Sequence, residues 1–230
     1  MIMKFISTLI KGKLIKRYKR FFADIKVNNQ TIIAHCPNTG SMMGLLDQGN
    51  DVWLSKNNDP NRKLKYTLEI IKVNNILIGV NTHRANRIVE DGLKNKLITE
   101  FKKVKLIKPE FKYSKDTRFD FLCDNKIIEV KNTTLTRENS IAEFPDAITS
   151  RGTKHLIKLV DSIKKNYYPF VLFLTQIQGI EHFRIAKDID YNYYKNYILA
   201  KKAGVNFLAY RCYLSSKEIR IDKKIKIIDE

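Results

Sequence analysis

Residues 118–131 run RFDFLCDNKIIEVK, and no other stretch restricts the fold of this chain as much. Asp124-Asn125 suits a two-residue turn, because Asp and Asn tolerate the left-handed backbone that tight hairpins need. A hairpin closed there sets Asp120 opposite Glu129. Alternation then gathers Phe119, Phe121, Ile128 and Val130 on one face, with Arg118, Asp120, Glu129 and Lys131 on the other. Like charges facing each other across two strands destabilise the pair. A divalent cation between them would remove the repulsion. Mg²⁺ (or Mn²⁺) fits, since Mg²⁺ takes one or two protein carboxylates and keeps several waters. Such an ion polarises a phosphodiester and lowers the pKa of a bound water. Lys131, on the same face as Glu129, is placed to stabilise charge developing on phosphate oxygens. The competing reading is a solvated strand face with an Arg118–Asp120–Lys131 ladder of ion pairs.

The chain around this hairpin divides in two. Up to about residue 83, candidate strands at 13–27, 30–36, 50–56, 65–73 and 76–81 alternate with turn signals such as PNTGS, DQGN and NNDPN. Five short strands at this spacing suit a small OB-like β-barrel, a fold that presents a nucleic-acid-binding face. From residue 84 the texture becomes mixed. The spacing of Ile88, Leu93, Leu97, Ile98 and Phe101 predicts a helix, followed by a strand at 105–113, the hairpin and a polar loop at 132–143. Pro145 is expected to open a helix whose buried stripe is Ile148, Leu156, Leu159, Val160 and Ile163. PFVLFLTQIQ reads as a buried strand, 190–202 as a helix ended by Gly204, and VNFLAYRCYL as another strand. The expected architecture is α/β (α+β): a barrel over 1–83 and a mixed-sheet domain over 84–230.

Charge narrows the partner. Lys and Arg number 43 against 24 Asp and Glu, a net charge of +19, which suits a polyanion. Lysine also serves solubility without any partner. The three cysteines, Cys36, Cys123 and Cys212, form no C-x-x-C pair, which excludes a zinc knuckle or a disulfide framework and fits a reducing cytoplasm. No apolar run reaches the length of a membrane span, and the start MIMKFISTLIKGK lacks the small-residue cleavage site of a signal peptide. A nucleotide cofactor is not expected either, because HCPNTGSM lacks the G-K-[ST] ending of a phosphate-binding loop.

Several other residues are candidates beside the carboxylate pair. Glu110 in KPEFKYS and Glu100 in ITEF are upstream acids that could complete a metal site. Arg151 and His155 lie four apart on one helical face and could clamp a phosphate. In LIKRYKRFFADI, Arg17, Tyr18, Lys19 and Arg20 interleave charge with rings, as surfaces that bind single strands do, although the rings suit a barrel core equally well. Asn38 and Thr39 sit in a turn-rich loop whose backbone amides could meet phosphate, and Arg84 opens the second region.

In order and spacing, LIKRYKRFFAD, HCPNTGSMMG, VNTHRANRIV, RFDFLCDNKIIEVKNTTL and FPDAITSRGTKHL resemble the sugar fermentation stimulation protein family, SfsA, over essentially the whole chain. The resemblance implies an N-terminal OB-fold domain, a C-terminal domain like the PD-(D/E)xK nucleases, DNA binding of low sequence specificity, and a link to sugar (maltose) metabolism. The nuclease motif falls on Asp120, Glu129 and Lys131, with Glu110 or Glu100 as the extra acid, and Arg151 and His155 match the RGxKHL stretch. Two functions follow as expectations: a DNA-binding regulator, or a Mg²⁺-dependent DNA endo- or exonuclease. The partner is DNA, single- or double-stranded; a membrane is not expected, and a homodimer is left open.

Overall fold

The computed structural model describes residues 4–228. The first six strands are β1 (Ile10–Tyr18), β2 (Phe22–Val27), β3 (Gln30–His35), β4 (Asp51–Lys56), β5 (Tyr66–Val73) and β6 (Ile76–Gly79). They run in the order β3-β2-β1-β4-β5-β6, and a parallel pairing of β3 with β5 closes the first five into an OB barrel. Leu14, Ala23, Ile25, Val52, Leu54 and Leu68 alternate inward and fill it. The single strand expected over 13–27 is instead two strands. Lys19 and Arg20 take left-handed backbone (φ 47° and 64°) and turn the chain, with neither Gly nor Asn to signal it.

The second domain opens with α1 (Ala85–Lys94), followed by β7 (Ile107–Lys112), β8 (Arg118–Cys123), β9 (Lys126–Thr133), β10 (Leu135–Glu138) and β11 (Ile141–Phe144). Then come α2 (Ser150–Ile163), β12 (Tyr168–Thr175), β13 (His182–Ile185), α3 (Tyr191–Ala203), β14 (Asn206–Leu214) and β15 (Ile219–Ile227). One mixed nine-stranded sheet results, ordered β10-β11-β13-β15-β14-β12-β9-β8-β7. α1 covers one face with Ile88, Val89 and Leu93; α2 and α3 cover the other with Leu156, Leu159, Tyr193 and Tyr197. Strands β9 and β12, central and parallel, are therefore buried on both faces, which is why FVLFL is continuously apolar.

Four expectations are corrected here. The first helix stops at Lys94, and Lys96 turns left-handed (φ 58°), so Ile98 and Phe101 enter the core from a separate 3₁₀ turn. The expected polar loop over 132–143 is largely the end of β9 and the β10–β11 hairpin. α2 begins at Ser150 with Thr149 as its cap; Pro145 lies before it in a cis peptide, and Ile148 is exposed rather than part of the buried stripe. β13 and β15 had no clear signal in the sequence.

The barrel is fused to the second domain. The Gly79 N–H donates to the Gln176 carbonyl at 2.8 Å, and Ile78 bridges Ile177. Arg84 meets the buried Glu69 through two bonds, Nε to Oε2 at 2.5 Å and Nη2 to Oε1 at 2.6 Å. The Glu69 carboxylate also accepts from Ser55 and Asn81, so every lone pair facing the seam is answered.

Candidate active site

The β8–β9 hairpin turns at Asp124-Asn125 as its composition demands, with Phe121, Leu122 and Cys123 paired to Ile128, Ile127 and Lys126. That register continues to Asp120 opposite Glu129, but the ladder stops one step short of them. On the other side, the β7–β8 pairing skips the step between Glu110 and Asp120, where Glu110 is left-handed (φ 53°). The strands therefore splay at Asp120. Its Oδ2 accepts the Val130 N–H at 2.6 Å, and its Oδ1 accepts the Asn86 amide of α1 at 2.7 Å. The same irregularity breaks the alternation. Phe121 packs under α1, whereas Phe119 joins the core below α2, so the four hydrophobic residues do not share one face as expected.

Glu129 projects toward α2. Its Oε1 accepts Lys131 Nζ at 2.6 Å and lies 2.5 Å from His155 Nδ1, whose ring meets Phe119 edge-on. Among the described residues Oε2 accepts no hydrogen bond. Burial disfavours the Glu129 charge, but Lys131 and His155 outweigh burial and hold its pKa below the ordinary carboxylate range. Asp120 behaves in the opposite way. Burial first, then the negative charge of Glu129, push it up from 3.8 to about 6, against the pull of the Val130 and Asn86 donors. Asp120 thus feels the charge of Glu129 across the hairpin.

α2 is anchored at its start by one side chain. The Asp190 carboxylate accepts the Thr149 N–H at 2.8 Å and the Tyr193 N–H at 2.9 Å, joining the first turns of α2 and α3. Tyr193 is fully buried, and its hydroxyl has no partner among the described residues. Residues 151, 154, 155 and 158 then share one face of α2 and form a wall of a cleft of about 630 Å³. The opposite wall is the 112–118 segment. The cleft is lined by Lys112, Lys115, Arg118, Arg151, Lys154 and Lys158 against a single acid, Asp116, and His155 connects it to Glu129.

The other candidates are dispersed. Glu110 is exposed and pairs with Arg118 at 3.4 Å. Glu100 lies at the turn end of the hairpin, bound to Tyr210 Oη and Lys224 Nζ, so it is not brought to Asp120 and Glu129. Arg84 is held by Glu69. Arg17 donates to the carbonyls of Asn38, Gly40 and Arg20, and Arg20 donates to that of Thr39, so these arginines shape the 38–41 loop. Asn38 is buried against Thr134, while Thr39 and Lys19 are exposed. Tyr18 stacks on Phe22 at 5.5 Å with Lys16 over its ring. Sequence reasoning missed Lys112, Lys115, Lys154 and Lys158. The spacing of Lys154 and Lys158 from Arg151 would have revealed the helical face; the facing loop had no such signal.

Among the described residues, no three His, Cys, Asp or Glu side chains form a metal-binding group, and no helix is long and apolar enough to cross a membrane. All three cysteines are free and buried.

Residues 15–80 match the SfsA N-terminal OB domain, and residues 83–218 match the sugar fermentation stimulation protein RE domain. The chain belongs to the sugar fermentation stimulation protein family. A family homolog from Pelagibacter ubique (strain HTCC1062) is 62% identical over 231 residues, covering 99% of this chain and 100% of the relative. Another, from Bartonella quintana (strain Toulouse), is 39% identical over 231 residues, covering 98% and 99%. The solved structure of Pyrococcus furiosus SfsA in complex with Ca²⁺ matches with a TM-score of 0.89 at 20% identity, covering all of both chains, and shows the family fold for this one.

Proposed function

We propose that the protein binds DNA through phosphate contacts along the cleft between α2 and residues 112–118, and hydrolyses a phosphodiester at Asp120, Glu129 and Lys131. One observation carries this reading. Asp120 and Glu129 sit on adjacent strands, Glu129 buried with its Oε1 beside His155 Nδ1, and His155 itself lines a cleft of six cations. The donor set fits Mg²⁺ or Mn²⁺: two carboxylates with an Oε2 left free, where such an ion keeps waters and substrate oxygens as its remaining ligands. The Pyrococcus furiosus relative, solved with Ca²⁺, supports a hard, oxygen-seeking cation. Bound there, the cation would polarise the phosphodiester and supply a water of lowered pKa.

The chain's own residues do the rest. Asp120 is held by Val130 and Asn86, so its carboxylate is oriented before any ligand arrives. His155 and Lys131 fix Oε1 of Glu129. Lys131 then places an ammonium where negative charge grows on the phosphate. The cleft cations are lysines and arginines without an amide side chain among them, which suits backbone contacts and low sequence preference. A role in sugar metabolism enters only as a consequence of DNA binding, in keeping with the name of the relatives.

A second reading, binding without turnover, is favoured by the absence, among the described residues, of a third acid grouped with the pair and by Glu129 Oε1 being already taken by two donors. Cleavage of labelled DNA in Mg²⁺, Mn²⁺ or EDTA separates the two. Cation-dependent cutting that Glu129→Gln abolishes, and that Lys131→Met slows about 10²–10³-fold, supports the nuclease. Binding without cutting in any cation leaves a DNA-binding protein.

A further inference from the structure

The carboxylate centre lies deep. The side chain of Glu129 is 6% exposed, that of His155 12% and that of Lys131 14%. A phosphate must descend between α2 and the 112–118 segment to reach them. Duplex DNA is stiff, with a persistence length of about 50 nm, so bringing a phosphate of a paired strand down to a centre this buried requires distorting the helix. One strand can enter, because its backbone bends freely.

The surface around the cleft points the same way. Ile157, 54% exposed, lines the cleft among its cations. Ile148, 81% exposed, stands just ahead of α2. Beside it the barrel's 38–41 loop packs against the 145–149 loop so closely that a Cβ on Gly40 would lie 2.1 Å from Asp146 Oδ2. On the barrel, Met43 (49% exposed) follows the 38–41 loop, and Phe21 (45%) follows Arg20, which donates to the Thr39 carbonyl of that loop. Apolar side chains interleaved with cations are what an unpaired strand needs: charge follows its backbone, and its base faces find surfaces to pack on. A duplex hides those faces.

We infer that the substrate of this site is an unpaired nucleic-acid strand, with its phosphates on the α2 cations and its bases along Ile157, Ile148, Met43 and Phe21. This rests on the nucleic-acid reading of the cleft. Anisotropy with a labelled 20-mer, its blunt duplex and a duplex with a single-stranded overhang, in Ca²⁺ with the full chain, tests it. The single strand and the overhang are expected to bind at least about tenfold tighter than the blunt duplex. Ile148→Ala with Phe21→Ala, both uncharged surface changes, should cost the single strand about tenfold and leave the duplex unchanged. The salt slope on the single strand should approach about −4 if all six cleft cations meet phosphate. Equal or tighter duplex binding overturns the single-strand assignment and leaves the nucleic-acid reading standing. Unchanged single-strand affinity in the doubly substituted chain overturns the apolar track. No binding to any of the three DNAs overturns both readings.

Discussion

Asp120→Asn removes the less stable of the two carboxylates, and the structure sets the size of the effect. The Asp120 pKa is raised from 3.8 to about 6. At about 1.36 kcal/mol per pH unit, its ionised form costs the folded chain about 3 kcal/mol. An asparagine keeps one oxygen for the Val130 N–H, and Asn86 can turn its amide to accept instead of donate. The cost of ionising Asp120 is already net of the Val130 and Asn86 hydrogen bonds to the charged form. The gain is therefore about 3 kcal/mol, or about 6–12 °C in Tm for a chain of this size. Its pH course follows from the direction of the shift. Above pH 6 the folded chain must ionise Asp120 and bears the full cost; between 6 and 3.8 it keeps a proton that the unfolded chain loses; below 3.8 both are protonated and the cost is gone. Thermal melts from pH 3.5 to 8 in EDTA should therefore show a variant more stable than wild type at pH 8 and equal to it at pH 3.5. A cation at about a hundredfold its Kd adds about 2.7 kcal/mol to wild type alone, which closes the gap. A variant that melts at or below wild type at pH 8, or a gap independent of pH, refutes the account.

Glu143→Gln should destabilise by about 3–5 kcal/mol in urea unfolding, because Glu143 is buried between Arg137 and Arg184, which donate to it at 2.7–2.8 Å. Both arginines outweigh burial and depress the Glu143 pKa, so its stabilisation is present at neutral pH and lost on acidification. Arg84→Ala strands the buried Glu69 and should cost about 3 kcal/mol, with DNA affinity of the folded protein unchanged; reduced affinity at full stability would restore Arg84 as a DNA contact. Gly152→Ala, a change that ordinarily stabilises a helix by about 0.5–1 kcal/mol, should destabilise here. Its Cβ would lie 2.8 Å from Thr149 Oγ1 and 3.1 Å from Tyr193 Cε2, and in denaturation the cost should shrink when Gly152→Ala is combined with Thr149→Ala.

Local chemistry made the hairpin legible. Asp124-Asn125 closes only one register, so Asp120, Glu129 and Lys131 were legible from the sequence, and so was the core strand FVLFL, whose uninterrupted apolar run reports burial on both faces. The OB-like barrel was also readable from its turns, although its strands were miscounted: 13–27 is two strands, and 76–81 lies outside the closed five. What stayed hidden depends on the surroundings. Arg84 resembles a phosphate contact until Glu69, fifteen residues earlier in the chain, takes its Nε and Nη2 donors. Glu100 resembles a third acid until Tyr210 and Lys224 arrive from the far end of the sequence. The splay at Glu110 and Asp120 sends Phe119 to the opposite core from Phe121, which no alternation rule anticipates, because it comes from a left-handed residue on a neighbouring strand.

Sequence alone determined which residues carry charge and which strand pairs with its immediate neighbour, since a tight turn and a period of two are properties of a few adjacent residues. Tertiary structure decided which charges remain available. Segments far apart in sequence compete for the same donors and acceptors, and only their packing leaves Oε2 of Glu129 without a donor among the described residues and the α2 cleft open, while Arg84 and Glu100 are consumed inside the fold.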